Sequence, residues 1–146
     1  MAVKKFPKLV KFFIADTILA DSTNSKPNLI GLFPNDLIFI RIPSDREDPT
    51  NENPIVLASL AILATLVGPQ GHFDAGISLY RPDGGIMFED RNIEDGLKVD
   101  AKPPKNDANL IVTFQPFKIP QFGEFKYVLK LDKKKEYIFR FNIHSG

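Results

Sequence analysis

Residues 123–143, "GEFKYVLKLDKKKEYIFRFNI", decide the fold class because their apolar side chains recur at every second position. In the first half these residues are Phe125, Tyr127, Leu129 and Leu131, and in the second half Tyr137, Phe139, Phe141 and Ile143. A period of two places one face of a strand on a core and the other in water. The Asp/Lys run at 132–135 supplies a short turn, so the segment predicts an antiparallel hairpin.

Several other segments show short apolar stretches bounded by turn residues. They are "LVKFFIADTIL" (9–19), "LIGLF" (29–33), "DLIFIRI" (36–42), "GHFDAGISLYRPDGGIMFED" (71–90) and "ANLIVTFQPFKI" (108–119). Residues 71–90 predict a second hairpin, since "PDGG" supplies turn chemistry. Seven or eight such strands predict one all-β domain over residues 1–146, an antiparallel β-sandwich that is immunoglobulin-like or C2-like in outline.

The run "IVLASLAILATLVG" (55–68) is compatible with two structures. Its alanines, its leucines and its length suit a buried helix. Its β-branched residues, and the strands predicted on either side, favour a strand with both faces covered. We favour the strand. The polar segments 43–54 and 95–109 predict mobile surface loops.

Composition limits the classes of partner and compartment. Nineteen basic residues against eighteen acidic ones give a net charge of +1, so we expect no nucleic acid partner. Because cysteine is absent, disulfides and thiolate sites are excluded and a cytoplasmic location is favoured. Asp16 interrupts the one stretch that resembles a signal peptide. The uncharged run 55–67 is shorter than the roughly 20 residues of a membrane span, so we expect no membrane insertion.

Asp16 is a carboxylate inside an apolar stretch, and it admits two hypotheses. A buried Asp16 with a raised pKa would suit a small hydrolase, with His72 or Asp74 as a second group. Alternatively, Asp16 lies at the rim of the sheet and serves the backbone of a neighbouring turn. We favour the second hypothesis. His72 is expected to be exposed beside a turn, and His144 to lie at a frayed end.

Aspartates in the predicted loops raise the possibility of a calcium-binding sandwich of the C2 or lectin type. They are Asp21, Asp36, Asp83, Asp90, Asp95 and Asp100. Calcium needs six to eight converging oxygens, whereas these residues are dispersed and lack an Asp-x-Asp cluster. Solubility of turns and loops is the favoured interpretation. The run Lys133–Lys135 is interpreted as a solvated turn. The sequence therefore identifies no catalytic, cofactor-binding or metal-binding residue.

The stretch "FFIAD" (12–16), a polar loop with Lys26, and the strand "LIGLF" (29–33) resemble the start of a family of short, uncharacterised bacterial β-sandwich proteins. The closing hairpin is similar to that of the same family. Lys26 is followed by Pro27, where the family has a Gly/Lys-containing turn, and residues 43–68 do not align. The resemblance implies a sandwich, a bacterial cytoplasmic origin and no known activity. An ion pair between Asp16 and Lys26 would explain the motif without chemistry.

These observations favour a non-enzymatic binding or assembly module that acts through its surface, as a homo-oligomer or with a protein partner. Thirteen phenylalanines exceed what one small core is expected to bury, and a surplus would form an exposed apolar patch. The alternatives are the calcium- or ligand-binding sandwich and, as a third reading, the small hydrolase.

Overall fold

The computed structural model of the chain describes residues 5–20, 27–90, 97–101 and 107–145. These residues form twelve β-strands and one short 3-10 helix at Pro34–Asp36. The strands are β1 (Leu9–Ala20), β2 (Pro27–Leu32), β3 (Leu37–Ile40), β4 (Ile55–Leu57), β5 (Leu60–Val67), β6 (Gly71–Tyr80), β7 (Ile86–Asp90), β8 (Leu97–Ala101), β9 (Ala108–Phe114), β10 (Phe117–Ile119), β11 (Gly123–Leu131) and β12 (Lys135–Ser145). The predicted all-β class is confirmed, but the expected number of seven or eight strands is wrong.

The strands form an antiparallel β-sandwich, as predicted. Sheet I has the order β2-β1-β5-β9. Sheet II has the order β3-β12-β11-β6-β7, and β8 also pairs with β6. Every pairing within these two sheets is antiparallel except that of β3 with β12, which is parallel.

The ambiguous run 55–68 is extended, so the preference for a strand is confirmed. A break at residues 58–59 divides it into β4 and β5. The partner strand breaks at residues 115–116, and the ladder resumes in the same register, with Leu60 opposite Phe114 and Leu57 opposite Phe117. One bent ribbon therefore accounts for four of the strands, which is one reason why the predicted count was too low.

The main core lies between the two sheets and is built from the predicted period-two faces. All four inward residues of β6, Phe73, Ala75, Ile77 and Leu79, are buried, as are all four of β11. In β12 the inward residues Phe139, Phe141 and Ile143 are buried. From sheet I, the ring of Phe12 stacks on that of Phe139 with the ring centroids 5.2 Å apart. These contacts join the sheets through aromatic as well as aliphatic packing.

Strand β5 is buried on both of its faces. Leu60, Ile62, Ala64 and Leu66 belong to the main core. Ala61 and Leu63 face the other side of sheet I, where they pack with Ala15 and Ile18 in a second, smaller cluster. A strand covered on both sides lacks apolar–polar alternation, which explains why 55–68 resembled a helix.

The two predicted loops differ in outcome. Residues 43–54 contain no strand, as expected, and Arg46 donates hydrogen bonds to the carbonyl oxygens of Asn53 and Pro54. The loop prediction for 95–109 is wrong at 97–101, where β8 pairs with the first half of β6, and at the start of β9. Strand β7 pairs only with residues 77–80 of β6, so the first half of this long strand has room for a second partner.

The closing hairpin turns at Asp132 and Lys133, in agreement with the predicted turn. Both residues have positive φ, 53° and 57°, and the N–H of Lys134 donates to the carbonyl oxygen of Leu131 at 3.0 Å. The two positive φ values are those of a type I′ turn, and three residues separate Leu131 from its partner Lys135. The exposed run Lys133–Lys135 is therefore part of a solvated turn and the start of β12, as interpreted from the sequence.

Tyr127 provides a test of the core packing. Its side chain is fully buried, its hydroxyl has no hydrogen-bond partner among the described residues, and burial raises its pKa far above the usual value. A buried polar group without a partner costs about 1–3 kcal/mol. We expect Tyr127→Phe to raise the free energy of unfolding by about 1 kcal/mol, measured by urea denaturation.

Tyr137→Phe is the matched control. The Tyr137 hydroxyl donates to the carbonyl oxygen of Pro7 at 3.1 Å, so its removal is expected to lower the free energy of unfolding by about 1 kcal/mol. A loss of stability in Tyr127→Phe equal to that of the control would show that the Tyr127 hydroxyl is bonded and would contradict this account.

Candidate functional site

Asp16 lies on β1 where the alternation of the strand changes. Ala15 pairs with Leu32 and Thr17 with Ile30, so Asp16 lies opposite Gly31. Its side chain is exposed, and its carbonyl oxygen accepts a hydrogen bond from the Ser59 hydroxyl at 2.7 Å.

Gly31 is required at this point of the pairing between β1 and β2. Its φ is +69°, and a Cβ at this position would overlap the Asp16 carboxylate. Beyond the irregularity, Ile18 packs on the same side as Ala15. Strict alternation would instead have placed Ile18 on the face of Phe12 and Ile14.

The hydrolase hypothesis required a buried Asp16 carboxylate. The side chain of Asp16 is exposed, which contradicts that requirement. The strand geometry also separates Asp16 from His72. Ala15 pairs with Ala61, whereas Leu9 pairs with Val67, just before the strand that carries His72. This separation is roughly 20 Å along the strand direction.

Asp16 was expected to serve the backbone of the turn between β1 and β2, which lies outside the described residues. Its carboxylate accepts no hydrogen bond from the described part of the chain, although it fills the space above Gly31. The proposed ion pair with Lys26 lies outside the described residues.

The two histidines lie on different strands, His72 on β6 and His144 on β12. His72 Nε2 lies 4.0 Å from Asp74 Oδ1, with side-chain exposures of 56% and 46%, so the predicted exposure of His72 is confirmed. The backbone N–H of Asp74 donates to the Asp132 carboxylate at 2.9 Å. His144 lies within β12 opposite Phe39, and the frayed end expected there is wrong.

The candidate calcium ligands are spread over the molecule. Asp21 and Asp95 lie outside the described residues. Asp90 ends β7 and Asp100 lies in β8, so neither belongs to a loop. Asp36 follows β2 in the 3-10 helix, where partial burial raises its pKa. Within the described residues, no three acidic or histidine side chains converge as a metal-binding group.

Asp83 serves the turn between β6 and β7. Its Oδ1 atom accepts hydrogen bonds from the Gly85 N–H at 2.8 Å and from Arg81 Nε at 3.1 Å. These two contacts, the backbone N–H first, hold the pKa of Asp83 below its usual value. The "PDGG" turn predicted from the sequence is confirmed, and this aspartate supports it.

Exposed apolar side chains concentrate on β1 and β2. Ten large apolar residues are exposed in the described chain, and five of them belong to these two strands: Leu9, Phe13, Leu19, Ile30 and Leu32. The exposed phenylalanines, Phe13, Phe39 and Phe88, lie on three different strands. The apolar surface expected from a surplus of phenylalanine is therefore mainly aliphatic.

The last residues of β1 and the first residues of β2 form a two-stranded ribbon. Strand β1 pairs with β5 only as far as Ala15, and its pairing with β2 continues to Ala20 opposite Pro27. We call residues 17–20 and 27–30 the apolar ribbon. Leu19 and Ile30 share one face of it and are 52% and 54% exposed. Ile18 and Leu29 lie on the other face and pack with the second, smaller cluster.

Two cavities open elsewhere on the described surface. One, of about 240 Å³, lies where β7 approaches β9 and β10 and is lined mainly by apolar residues of the core and its edge. The other, of about 350 Å³, lies on the outer face of sheet II and is lined by three cations, one carboxylate and Tyr80.

Sequence reasoning did not single out the residues of the second cavity. The pairing of the closing hairpin contains part of the signal, because Leu131 pairs with Lys135 across the turn and Lys126 therefore lies opposite Arg140. The alignment of Tyr80 with Lys126 depends on a pairing between β6 and β11 that spans a longer stretch of chain.

Comparisons with known proteins give no assignment: no family model and no curated protein matches the chain. The resemblance to bacterial β-sandwich proteins therefore stays a prediction. Among the described residues, no helix has the length and apolar character needed to cross a membrane.

The contact between Asp16 and Gly31 makes a prediction about stability. We expect Gly31→Ala to lower the free energy of unfolding by about 2 kcal/mol, because positive φ disfavours a Cβ and the added atom meets the carboxylate. Gly84→Ala is the control, since Gly84 has a φ of +91° with no atom within 4 Å of its ideal Cβ position. The measurement is chemical denaturation.

The same substitution in an Asp16→Ala background separates the two causes. There we expect the cost of Gly31→Ala to approach that of Gly84→Ala, because only the backbone term remains. An unchanged cost in that background would contradict the contact.

Proposed function

We propose that this chain is a non-enzymatic assembly module that joins a second copy of itself through the apolar ribbon. The observation that carries the proposal is the exposure of Leu19 and Ile30 on a ribbon that only β1 and β2 form. Isolated two-stranded ribbons are marginally stable in water, and burial against a partner would stabilise this one.

The edge of sheet I supports the choice of a strand-to-strand interface. Strand β2 is an edge strand, and its residues 27–32, "PNLIGL", carry no charge. Sheet edges commonly carry charged side chains that discourage pairing with another chain. Strand β7, at an edge of sheet II, carries Glu89 and Asp90, and β3 at the other edge has only four residues. Strand β9, at the other edge of sheet I, lies beside β8.

Charge supports a second copy as the occupant. Two identical surfaces meet without like-charge repulsion only when each is neutral or internally balanced. The strands of the ribbon are neutral over residues 17–20 and 27–30. Antiparallel pairing of β2 with the β2 strand of another copy is self-complementary around a two-fold axis and would extend sheet I across both copies.

We place this module in a bacterial cytoplasm, as the lack of cysteine and the resemblance described above suggest.

The test is the solution mass, measured by light scattering after size exclusion over a range of protein concentrations. We expect a dimer that dissociates on dilution. Ile30→Lys should raise the dissociation constant about 100-fold, because dimerisation would bury an unpaired ammonium group.

Val56→Lys is the matched control, because Val56 is 54% exposed, as Ile30 is, but lies on β4. It should leave the dimer intact. A monomer at every concentration, or equal weakening by the two substitutions, would contradict the proposal.

A further inference from the structure

A groove with several cations crosses the outer face of sheet II. Tyr80, Lys126 and Arg140 lie side by side on β6, β11 and β12, since Lys126 pairs with both of the others. We call the cavity of about 350 Å³ at this place the basic groove; it is lined by Tyr80, Arg81, Pro82, Gly84, Glu124, Lys126 and Arg140. Its size falls in the range of small-ligand pockets, roughly 300–1,000 Å³.

The lining of the basic groove has an excess of positive charge. Arg81, Lys126 and Arg140 stand against a single carboxylate, that of Glu124, whose Oε1 atom is 3.4 Å from Arg140 Nε. Lys126 Nζ lies 4.7 Å from the centre of the Tyr80 ring. Its ammonium group forms no ion pair with a carboxylate of the described residues. The groove therefore favours an anion.

Arg81 is held in place by the turn that follows it. Asp83 accepts from Arg81 Nε at 3.1 Å and is itself fixed by the Gly85 N–H and by the amide oxygen of Gln121, which accepts from the Asp83 N–H at 2.7 Å. The guanidinium group lies over Gly85, where a Cβ would overlap it. Asp83 offsets part of the charge of Arg81, but it positions the side chain before a ligand arrives, which lowers the entropy lost on binding.

We propose that the basic groove binds the phosphate group of a small organic phosphate monoester. Arg81 and Arg140 are each paired through Nε, and guanidinium forks bind phosphate oxygens with geometric specificity. Lys126 adds a point charge between Tyr80 and Arg140 in the row. The three cations exceed the carboxylates of Glu124 and Asp83 by one charge, which favours a phosphate anion, and the volume leaves room for an organic group beside Tyr80. This site lies on sheet II, so it is independent of assembly through sheet I.

The experiment is calorimetric titration of the intact protein at low ionic strength with three probes: phenyl phosphate, inorganic phosphate and phenol. We expect phenyl phosphate to bind more tightly than inorganic phosphate, and phenol to give no binding. The absence of binding by either phosphate, or equal affinity for the two, would overturn the proposal.

Two variants test the geometry. Lys126→Gln removes the unpaired cation, and Gly85→Ala displaces Arg81 without changing the net charge. Each should weaken phenyl phosphate binding about tenfold or more. The matched control is Lys130→Gln, on the same strand but paired with Glu136 at 3.2 Å and outside the groove, which should change the affinity less than about twofold.

Thermal unfolding of each variant establishes that it is folded before titration. Equal weakening by Lys130→Gln would indicate general charge attraction and overturn the proposal. Unchanged binding in folded Gly85→Ala would overturn the role given to Arg81.

Discussion

The burial of β5 on both faces is the constraint on which the rest of this structure depends. Its inner face closes the main core against sheet II, and its outer face, with Ala61 and Leu63, has to be covered as well. Ala15 and Ile18 of β1 provide part of that cover. The second apolar surface therefore continues from β5 onto β1. Its apolar residues include Ile18, which lies where β1 extends beyond its pairing with β5.

The two sheets divide the surface into regions of different chemistry. On sheet II, the closing hairpin alternates apolar and polar residues apart from Val128 and Ile138, so its outer face carries Lys126, Arg140 and Glu124. On sheet I, apolar residues extend to the free edge at β2. A polar face with a structured groove suits a small charged ligand, whereas a neutral apolar edge suits another strand. Neither region needs a catalytic group.

Local sequence patterns predicted the strands that have one polar and one apolar face. They failed where contacts between distant parts of the chain determine the structure. The hairpins at 71–90 and 123–143 follow from alternation and turn chemistry, because each has one wet and one dry face. Strand β8 was missed because long polar flanks and Pro103–Pro104 outweighed the alternation of "LKVDA". The change of face after Asp16 depends on the φ of Gly31 and on its pairing across the ribbon, which apolar spacing does not reveal. The basic groove joins three strands, and only the pairing of two was readable from the sequence.

The most direct test of assembly through the apolar ribbon is amide hydrogen exchange, followed by mass spectrometry at low and high protein concentration. Amides that pair only when two copies meet become protected as the concentration rises. The account predicts slower exchange at high concentration in peptides covering residues 27–32, with no change in β3. Exchange in 27–32 that is independent of concentration, or protection that develops at β3 instead, would contradict it.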